Sequence, residues 1–207
     1  MNIRIEAREL KKAFNRRVIF QNLSFSLAQH QTLLVTGKNG SGKSTLVKIL
    51  GSVLTPTAGT VTVTSDFTGR DHSPLADIGL VSPYLMMYDE FSAVENLSLA
   101  LAIRGMSPHA AEIDALLEKV SLYDRRHDLV RTYSSGMKQR VKYAFALVHH
   151  PAILLLDEPM ANLDNEGIDI VHRVMEEQRE RGILIVATSD LSDIDSYDLR
   201  VDMNERR

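Results

Sequence analysis

The sequence predicts an α/β fold in which a mostly parallel sheet is flanked by helices. Three short, continuous apolar segments, Thr32 to Thr36, Ile153 to Leu156 and Ile183 to Thr188, are typical of strands buried on both faces. Stretches with the apolar spacing of helices lie between them, and this alternation favours a parallel sheet. Because right-handed crossovers join such strands, ligands are expected at the carboxyl edge of the sheet.

The flanking elements follow from the same kind of pattern. Residues 1–30 alternate partly between apolar and polar side chains, which predicts short strands in an N-terminal antiparallel β lobe. A helix with apolar residues from Leu46 to Leu54 and a short strand from Gly59 to Thr64 are expected next. A further helix is predicted over 165–181, and a last strand near Leu199 to Met203.

Two consecutive helices are predicted between about residues 83 and 133, with no strand between them. Ser92 and Glu95 have the spacing of a capping box, which starts the first helix, and Gly105 is expected to end it. Pro108 is expected at the first position of the second helix. We interpret this segment as a helical lobe inserted into an α/β domain.

Composition excludes several classes of protein. The 207 residues suit a single domain, 1–207, and 44% hydrophobic residues suit a globular core. The absence of cysteine excludes disulfides and thiolate chemistry, and a net charge of −3 gives no reason to expect nucleic-acid binding. Neither a signal peptide nor a membrane-spanning segment is expected, so any membrane role should come through a partner.

A phosphate-binding loop is the strongest functional motif. The segment GKNGSGKST has the Walker A pattern, which predicts a P-loop nucleoside triphosphatase fold that binds Mg-ATP. Backbone N–H groups of the loop should face the phosphates, with Lys43 on the β- and γ-phosphates and Ser44 on Mg²⁺. A simple glycine-rich turn is the alternative. The predicted nucleotide-binding residues are Gly37, Lys38, Asn39, Gly40, Ser41, Gly42, Lys43, Ser44 and Thr45.

A second candidate site follows the strand Ile153 to Leu156. Asp157 and Glu158 come at its carboxyl end, where they should face the phosphate loop. We expect Asp157 to hold Mg²⁺ and Glu158 to act as the general base on the attacking water. An acidic pair at this position is otherwise simply a turn.

Two further segments resemble one family, the ATP-binding cassette ATPases. Residues 133–140, YSSGMKQR, resemble the family's signature motif, and residues 161–164 resemble its D-loop. The resemblance implies a head-to-tail dimer with a second ATP-binding cassette chain, in which the signature of one chain closes the ATP site of the other. Ser134 and Gly136 would then reach the γ-phosphate in trans, and helix capping is a compatible second role. The signature residues are Ser134, Ser135, Gly136 and Met137.

The resemblance also assigns a base-binding position to Phe14. The family places an aromatic ring that stacks on adenine at this distance before the phosphate loop, and Val18 is a weaker nucleotide contact. The alternative for Phe14 is a core aromatic residue.

A membrane partner is implied as well. The signature YSSGM resembles those of ATP-binding subunits that pair with separate transmembrane permease subunits of export type, which would hold this chain at the cytoplasmic face of the membrane. The helical lobe would supply the groove for that permease, unless these side chains simply pack the lobe. The groove candidates are Met86, Met87, Tyr88, Phe91 and Leu97.

The sequence departs from the family at two positions. Pro83 stands where the family has a glutamine that contacts Mg²⁺ and the attacking water, and Ser189 stands where it has a switch histidine. We therefore expect normal ATP binding, with Lys43, Glu158 and Ser189 at the reaction centre. Hydrolysis is expected to be slow or dependent on a partner.

Two other functional classes stay open at this level. One is an ATP-binding cassette ATPase that moves no solute, although the long coiled coils and tandem cassettes of such proteins are absent. The other is a regulatory module that binds ATP without effective hydrolysis, which the two departures favour. The sequence does not decide between homodimer and heterodimer.

Overall fold

The computed structural model describes residues 3–65 and 77–205. The strands are β1 (Ile3–Phe14), β2 (Arg17–Ala28), β3 (Thr32–Thr36), β4 (Ala58–Ser65), β5 (Ile78–Val81), β6 (Ile153–Asp157), β7 (Ile183–Ala187) and β8 (Leu199–Asp202). The helices are α1 (Lys43–Leu50), α2 (Ala93–Ile103), α3 (Ala110–Lys119), α4 (Ser135–Leu147) and α5 (Asn165–Arg181). Short 3-10 turns lie at Tyr123–Arg125, Val130–Thr132, Leu191–Asp193 and Met203–Glu205.

The predicted parallel sheet is confirmed. Five strands pair in the order β5-β6-β7-β3-β8, and every pair is parallel. Each residue of β3, β6 and β7 is buried, as their continuous apolar sequences predict. Since the strands are parallel, the loops that follow β3, β5, β6 and β7 all emerge at one edge, called here the carboxyl edge.

The N-terminal β lobe is also confirmed, but its strands are longer than expected. The antiparallel sheet β2-β1-β4 contains two strands of 12 residues each, β1 and β2, joined by a tight turn in which Asn15 has φ 54°. Register shifts between Ala7 and Ala13 interrupt the pairing of β1 with β2. These irregularities break the period-2 alternation, which explains why the sequence pattern indicated only short strands.

The helical lobe contains α2 and α3. The capping box of Ser92 and Glu95 starts α2, and Gly105, at φ 70°, follows its last turn as predicted. The N–H of Met106 closes this end by donating to the carbonyl of Leu101. The expected start of α3 at Pro108 is wrong because His109, with φ −106° and ψ 113°, has an extended backbone and is the N-cap residue.

Helix α1 also ends earlier than expected. It stops at Leu50, because the N–H groups of Val53 and Leu54 both turn back to the carbonyl of Lys48. Val53 is consequently 63% exposed instead of lying on the apolar face of the helix.

The sheet separates two apolar cores. Leu154 and Leu156 of β6 pack with α2 to α5, whereas Ile153 and Leu155 of the same strand pack with α1 and the β lobe. Both faces of the sheet are thereby covered, which leaves its carboxyl edge as the place for a ligand. Within residues 3–65 and 77–205, no helix is both long and apolar enough to cross a membrane.

Candidate functional site

Four adjacent strand ends bring the predicted site residues to the carboxyl edge. The phosphate loop follows β3, Asp157 ends β6, Ser189 lies two residues after β7, and Pro83 lies two residues after β5. The prediction that the acidic pair would come to the same edge as the phosphate loop is confirmed at this level of topology.

The phosphate loop has backbone shapes that require glycine. Gly37 has φ 146° and Gly42 has φ 109°. A Cβ at Gly37 would lie 2.5 Å from Ser41 Oγ, and one at Gly42 would lie 2.6 Å from Ile19 Cγ2. The buried Ser41 hydroxyl finds no hydrogen-bond partner in the described part of the chain, so the loop retains a polar atom for a ligand.

Lys43 points into this loop. Its side chain is only 5% exposed, and its Nζ donates to the carbonyl of Gly37 at 2.8 Å. The same amine lies 3.2 Å from Oε1 of Glu158. A buried ammonium needs such partners, and phosphate oxygens would serve equally well.

Ser44 and Asp157 form a candidate metal site. The Ser44 hydroxyl donates to Oδ1 of Asp157 at 3.0 Å, while the buried Oδ2 has no partner among residues 3–65 and 77–205. Burial raises the pKa of Asp157, and the hydrogen bond from Ser44 opposes this shift. A hydroxyl beside a carboxylate suits Mg²⁺, which takes few protein ligands together with phosphates and water.

Glu158 is held at both carboxylate oxygens. Oε1 faces Lys43, and Oε2 accepts hydrogen bonds from Ser189, at 3.4 Å from its N–H and 3.3 Å from its hydroxyl. The Glu158 N–H donates to the carbonyl of Ala187, which ties the residue to β7. Its backbone has φ 49°, a value uncommon for a side chain of this size and concentrated at functional sites.

The segment after β5 contacts Lys142, a residue that the sequence did not indicate. Lys142 of α4 places its Nζ 3.5 Å from the carbonyl oxygen of Ser82 and 3.4 Å from that of Pro83. Burial lowers the pKa of Lys142. No local pattern marks Lys142, because its partners are backbone atoms about 60 positions away.

The signature segment starts α4. Ser134 is the N-cap residue, and its hydroxyl accepts a hydrogen bond from the N–H of Met137 at 3.2 Å, as the capping interpretation predicts. Ser134 and Ser135 are exposed, and Gly136 lies against the D-loop near Asn162. Exposed donors at a helix N-terminus are available to an anion on another molecule.

Phe14 and Val18 lie at the tip of the β lobe. Phe14 is 47% exposed and Val18 is 36% exposed. The core alternative for Phe14 is therefore wrong. Ile19 of the same hairpin reaches Gly42, which brings this tip close to the phosphate loop.

The groove candidates of the helical lobe divide into two groups. Met86, Tyr88 and Phe91 are exposed, and Met87 is partly buried against the core. Leu97 is fully buried, so its assignment to a surface groove is wrong. It lies on the inward side of α2, where it packs in the apolar core.

Sequence reasoning missed the carboxyl-terminal support of the phosphate loop. The N–H of Lys38 donates to Oδ1 of Asn204 at 3.2 Å. The buried side chain of Met203 lies beside Gly37 and Gly42. No motif marks these residues, and only the pairing of β8 with β3 brings them to the loop.

Comparisons with known proteins agree with this geometry. Residues 20–161 match the model of the ABC transporter family. The chain is 32% identical, over 90% of its length and 80% of the relative, to the lantibiotic transport ATP-binding protein SrtF of Streptococcus pyogenes. It is 34% identical, over 88% of its length and 79% of the relative, to the arginine transport ATP-binding protein ArtM of Bacillus subtilis (strain 168). A solved ATP-binding subunit of an ABC transporter is 25% identical and superposes with a TM-score of 0.78, covering 91% of this chain and 80% of that one.

Fold and site together define a P-loop nucleotide-binding protein. The chain belongs to the ABC transporter family, with a match that spans more than half of its length. It is an ATP-binding subunit with the family's ATPase function, and it energises transport. Such subunits act with membrane permease partners.

Proposed function

We propose that this subunit pairs head-to-tail with a second ABC ATPase chain and sandwiches Mg-ATP between the two. Hydrolysis then drives a separate transmembrane permease. The observation that carries the proposal is the convergence of Lys43, Asp157, Glu158 and Ser189 at one edge of the sheet.

Lys43 is the first residue to change partners in this mechanism. Its amine contacts both the carbonyl of Gly37 and the carboxylate of Glu158. With ATP bound, the Lys43 amine would contact the β- and γ-phosphate oxygens, and one oxygen of Glu158 would then face the attacking water. The loop N–H groups and the N-terminus of α1 hold the remaining phosphate charge.

Ser44 and Asp157 are the proposed Mg²⁺ ligands. The unpartnered Oδ2 of Asp157 supports this assignment, as does the hydroxyl already directed at the same carboxylate. When bound, Mg²⁺ offsets the negative charge of the β- and γ-phosphates. The chain's own task is to keep the hydroxyl and the carboxylate adjacent.

The second chain completes the site through its signature, Ser134 to Met137. Exposure of Ser134 and Ser135 at the start of α4 supports a role in trans. Phe14 is the proposed base contact and Val18 a weaker nucleotide contact, supported by their exposure on the hairpin next to the loop.

Slow intrinsic turnover is part of the proposal. Pro83 offers no side-chain donor or acceptor to Mg²⁺ or water. Its backbone carbonyl accepts a hydrogen bond from Lys142. Ser189 stands in place of a residue that can become cationic, and its hydroxyl donates to Glu158. ATP therefore binds normally, while hydrolysis depends on a complementary partner chain or on the permease. The same two positions favour an ATP-gated regulatory module as the second candidate.

An export-type permease is the proposed partner, with residues 1–207 acting as one domain on the cytoplasmic face of the membrane. The YSSGM signature supports the export-type assignment. The relatives that resemble the chain include one named for lantibiotic transport and one named for arginine transport. Exposed Met86, Tyr88 and Phe91 form the proposed docking surface. Co-purification from membranes, followed by identification of the bound protein, tests this; recovery without any membrane protein contradicts it.

Steady-state ATPase measurements test the catalytic part. We expect the purified chain to hydrolyse ATP well below the ~1–100 s⁻¹ typical of phosphoryl-transfer enzymes, and to accelerate with its permease. A rate within that range for the chain alone overturns the slow-turnover proposal. Glu158→Gln should retain ATP in a stable dimer, because it removes the base but keeps the side chain's shape, and unchanged hydrolysis in this variant rules out Glu158 as the base.

A further inference from the structure

The ring of Phe14 carries a lysine on one side. Lys12 lies two residues earlier on β1. Its Nζ lies 4.8 Å from the centroid of the Phe14 ring, within the range of a cation–π interaction. The ring still keeps 47% of its surface exposed.

Lys12 also makes a contact away from the ring. Its amine donates to the carbonyl of Thr55 at 2.7 Å. Thr55 lies in the segment between α1 and β4, directly after the residues that close α1. Lys12 therefore connects the tip that carries Phe14 with the segment that follows α1, the helix that begins at Lys43.

The backbone near the ring is tied to the same segment. The N–H of Ala13 donates to the Thr57 hydroxyl at 3.0 Å, and the N–H of Thr57 donates to the carbonyl of Lys11 at 2.8 Å. These bonds fix the strand, whereas Lys12 contacts the ring itself. Without it, an exposed ring can rotate freely about its side-chain torsions.

We propose that Lys12 is a positioning residue for recognition of the nucleobase. It restrains the Phe14 ring from one side, so that the opposite side faces the base. It also fixes the position of the ring relative to the phosphate loop. This inference rests on the proposed function of Phe14 as the stacking residue. It adds a base-dependent contribution to affinity that no contact with the phosphates supplies.

Comparing the affinities of two ligands separates this contribution from that of the phosphates. Mg-ATP carries adenosine and Mg-tripolyphosphate does not, so the ratio of the two affinities from isothermal titration reports the contribution of the base together with the ribose. We expect Lys12→Met to weaken Mg-ATP binding about three- to tenfold, since it removes a cation–π contact and a hydrogen bond, and to leave tripolyphosphate binding unchanged. Lys12→Arg should restore most of the affinity, because guanidinium also stacks on rings.

The neighbouring Lys11→Met is the matched control, and it should leave binding of both ligands unchanged. Lys12→Met must also match the wild type in its urea unfolding midpoint. Equal weakening of both ligands, tighter ATP binding, or an ATP affinity equal to that of Lys11→Met each overturns the inference.

Phe14→Ala distinguishes this inference from the function beneath it. If Phe14→Ala leaves Mg-ATP binding unchanged, the proposed base site itself fails. If Phe14→Ala weakens ATP binding and Lys12→Met does not, only the role of Lys12 fails. In the double variant the two losses should not add, since Lys12 acts through the ring.

Discussion

The four strand ends at the carboxyl edge form two contrasting pairs. The ends of β3 and β6 carry the groups proposed to hold phosphate and metal; Lys43 and Asp157 are buried, and they contact Glu158 and Ser44. The ends of β5 and β7 carry Pro83 and Ser189, where the usual glutamine and histidine are missing. On the proposed function, one edge of the sheet therefore keeps the groups for binding ATP, while the groups that would orient water differ from those of the family.

The contrast has a physical basis. Lys43 and Asp157 are buried charges, and their removal leaves unpaired partners behind, so substitution there is costly. Ser189 and Pro83 are exposed; Ser189 donates to a carboxylate oxygen of Glu158, and Pro83 contacts Lys142 through its backbone carbonyl. Binding and turnover can therefore vary independently.

The largest expected effect is on the β3 side. Lys43→Met should weaken Mg-ATP binding by about 100-fold or more, because it removes charge-assisted bonds to two phosphates. Equilibrium binding of a fluorescent ATP analogue measures this. Lys119→Met, which breaks the ion pair with Glu177 far along the chain, is the control and should bind normally. Near-normal binding by Lys43→Met would remove the basis of the comparison.

The next largest effect is a gain on the β5 and β7 side. Pro83→Gln combined with Ser189→His should raise the steady-state ATPase rate about tenfold or more, since both variants restore groups that orient water or charge. The affinity for ATP should stay within about twofold, because the phosphate contacts are untouched. An unchanged rate in a folded double variant means that the two departures do not limit turnover.

A smaller effect is expected for the metal. Ser44→Ala removes the hydroxyl that faces Asp157, so the Mg²⁺ concentration needed for half-maximal ATP binding should rise about tenfold. ATP binding in excess chelator should not change. The same Mg²⁺ requirement in wild type and variant contradicts the assignment of Ser44.

The last prediction concerns β5, the strand that leads to Pro83. It has the smallest expected effect on ligand binding, but its effect on stability should be measurable. His149 donates from Nε2 to the carbonyl of Ile78 at the start of β5, and burial together with Arg104 lowers its pKa from 6.5 to about 4. Between these values the unfolded chain binds more protons than the folded one, so stability falls as the pH falls. We expect the free energy of unfolding to drop by about 2 kcal/mol between pH 7 and pH 5 from this group.

Urea unfolding at both pH values checks this expectation. His149→Gln keeps an N–H donor but does not titrate, so its stability should depend less on pH by that amount. An identical pH dependence in the two proteins assigns the effect to other groups.

Local sequence chemistry predicted those parts of the site that lie within one segment. The loop Gly37 to Thr45, the capping box at Ser92 and the cap at Ser134 all formed as expected, because spacing along a short backbone determines them. Element boundaries were less predictable. Helix α1 ended early at Leu50 and α3 began late at Ala110, since turn hydrogen bonds and an extended residue before α3 outweighed the apolar spacing.

The sequence by itself determined the fold class, the phosphate loop and the acidic pair, together with the two positions that depart from the family. Only the tertiary structure decided which residues meet: Glu158 with both Lys43 and Ser189, Lys142 with the backbone of Pro83, Asn204 with the backbone of Lys38, and Lys12 with the backbone of Thr55. The reason is that these contacts join segments far apart in the chain. Strand order and helix packing, rather than any local spacing, set their distances.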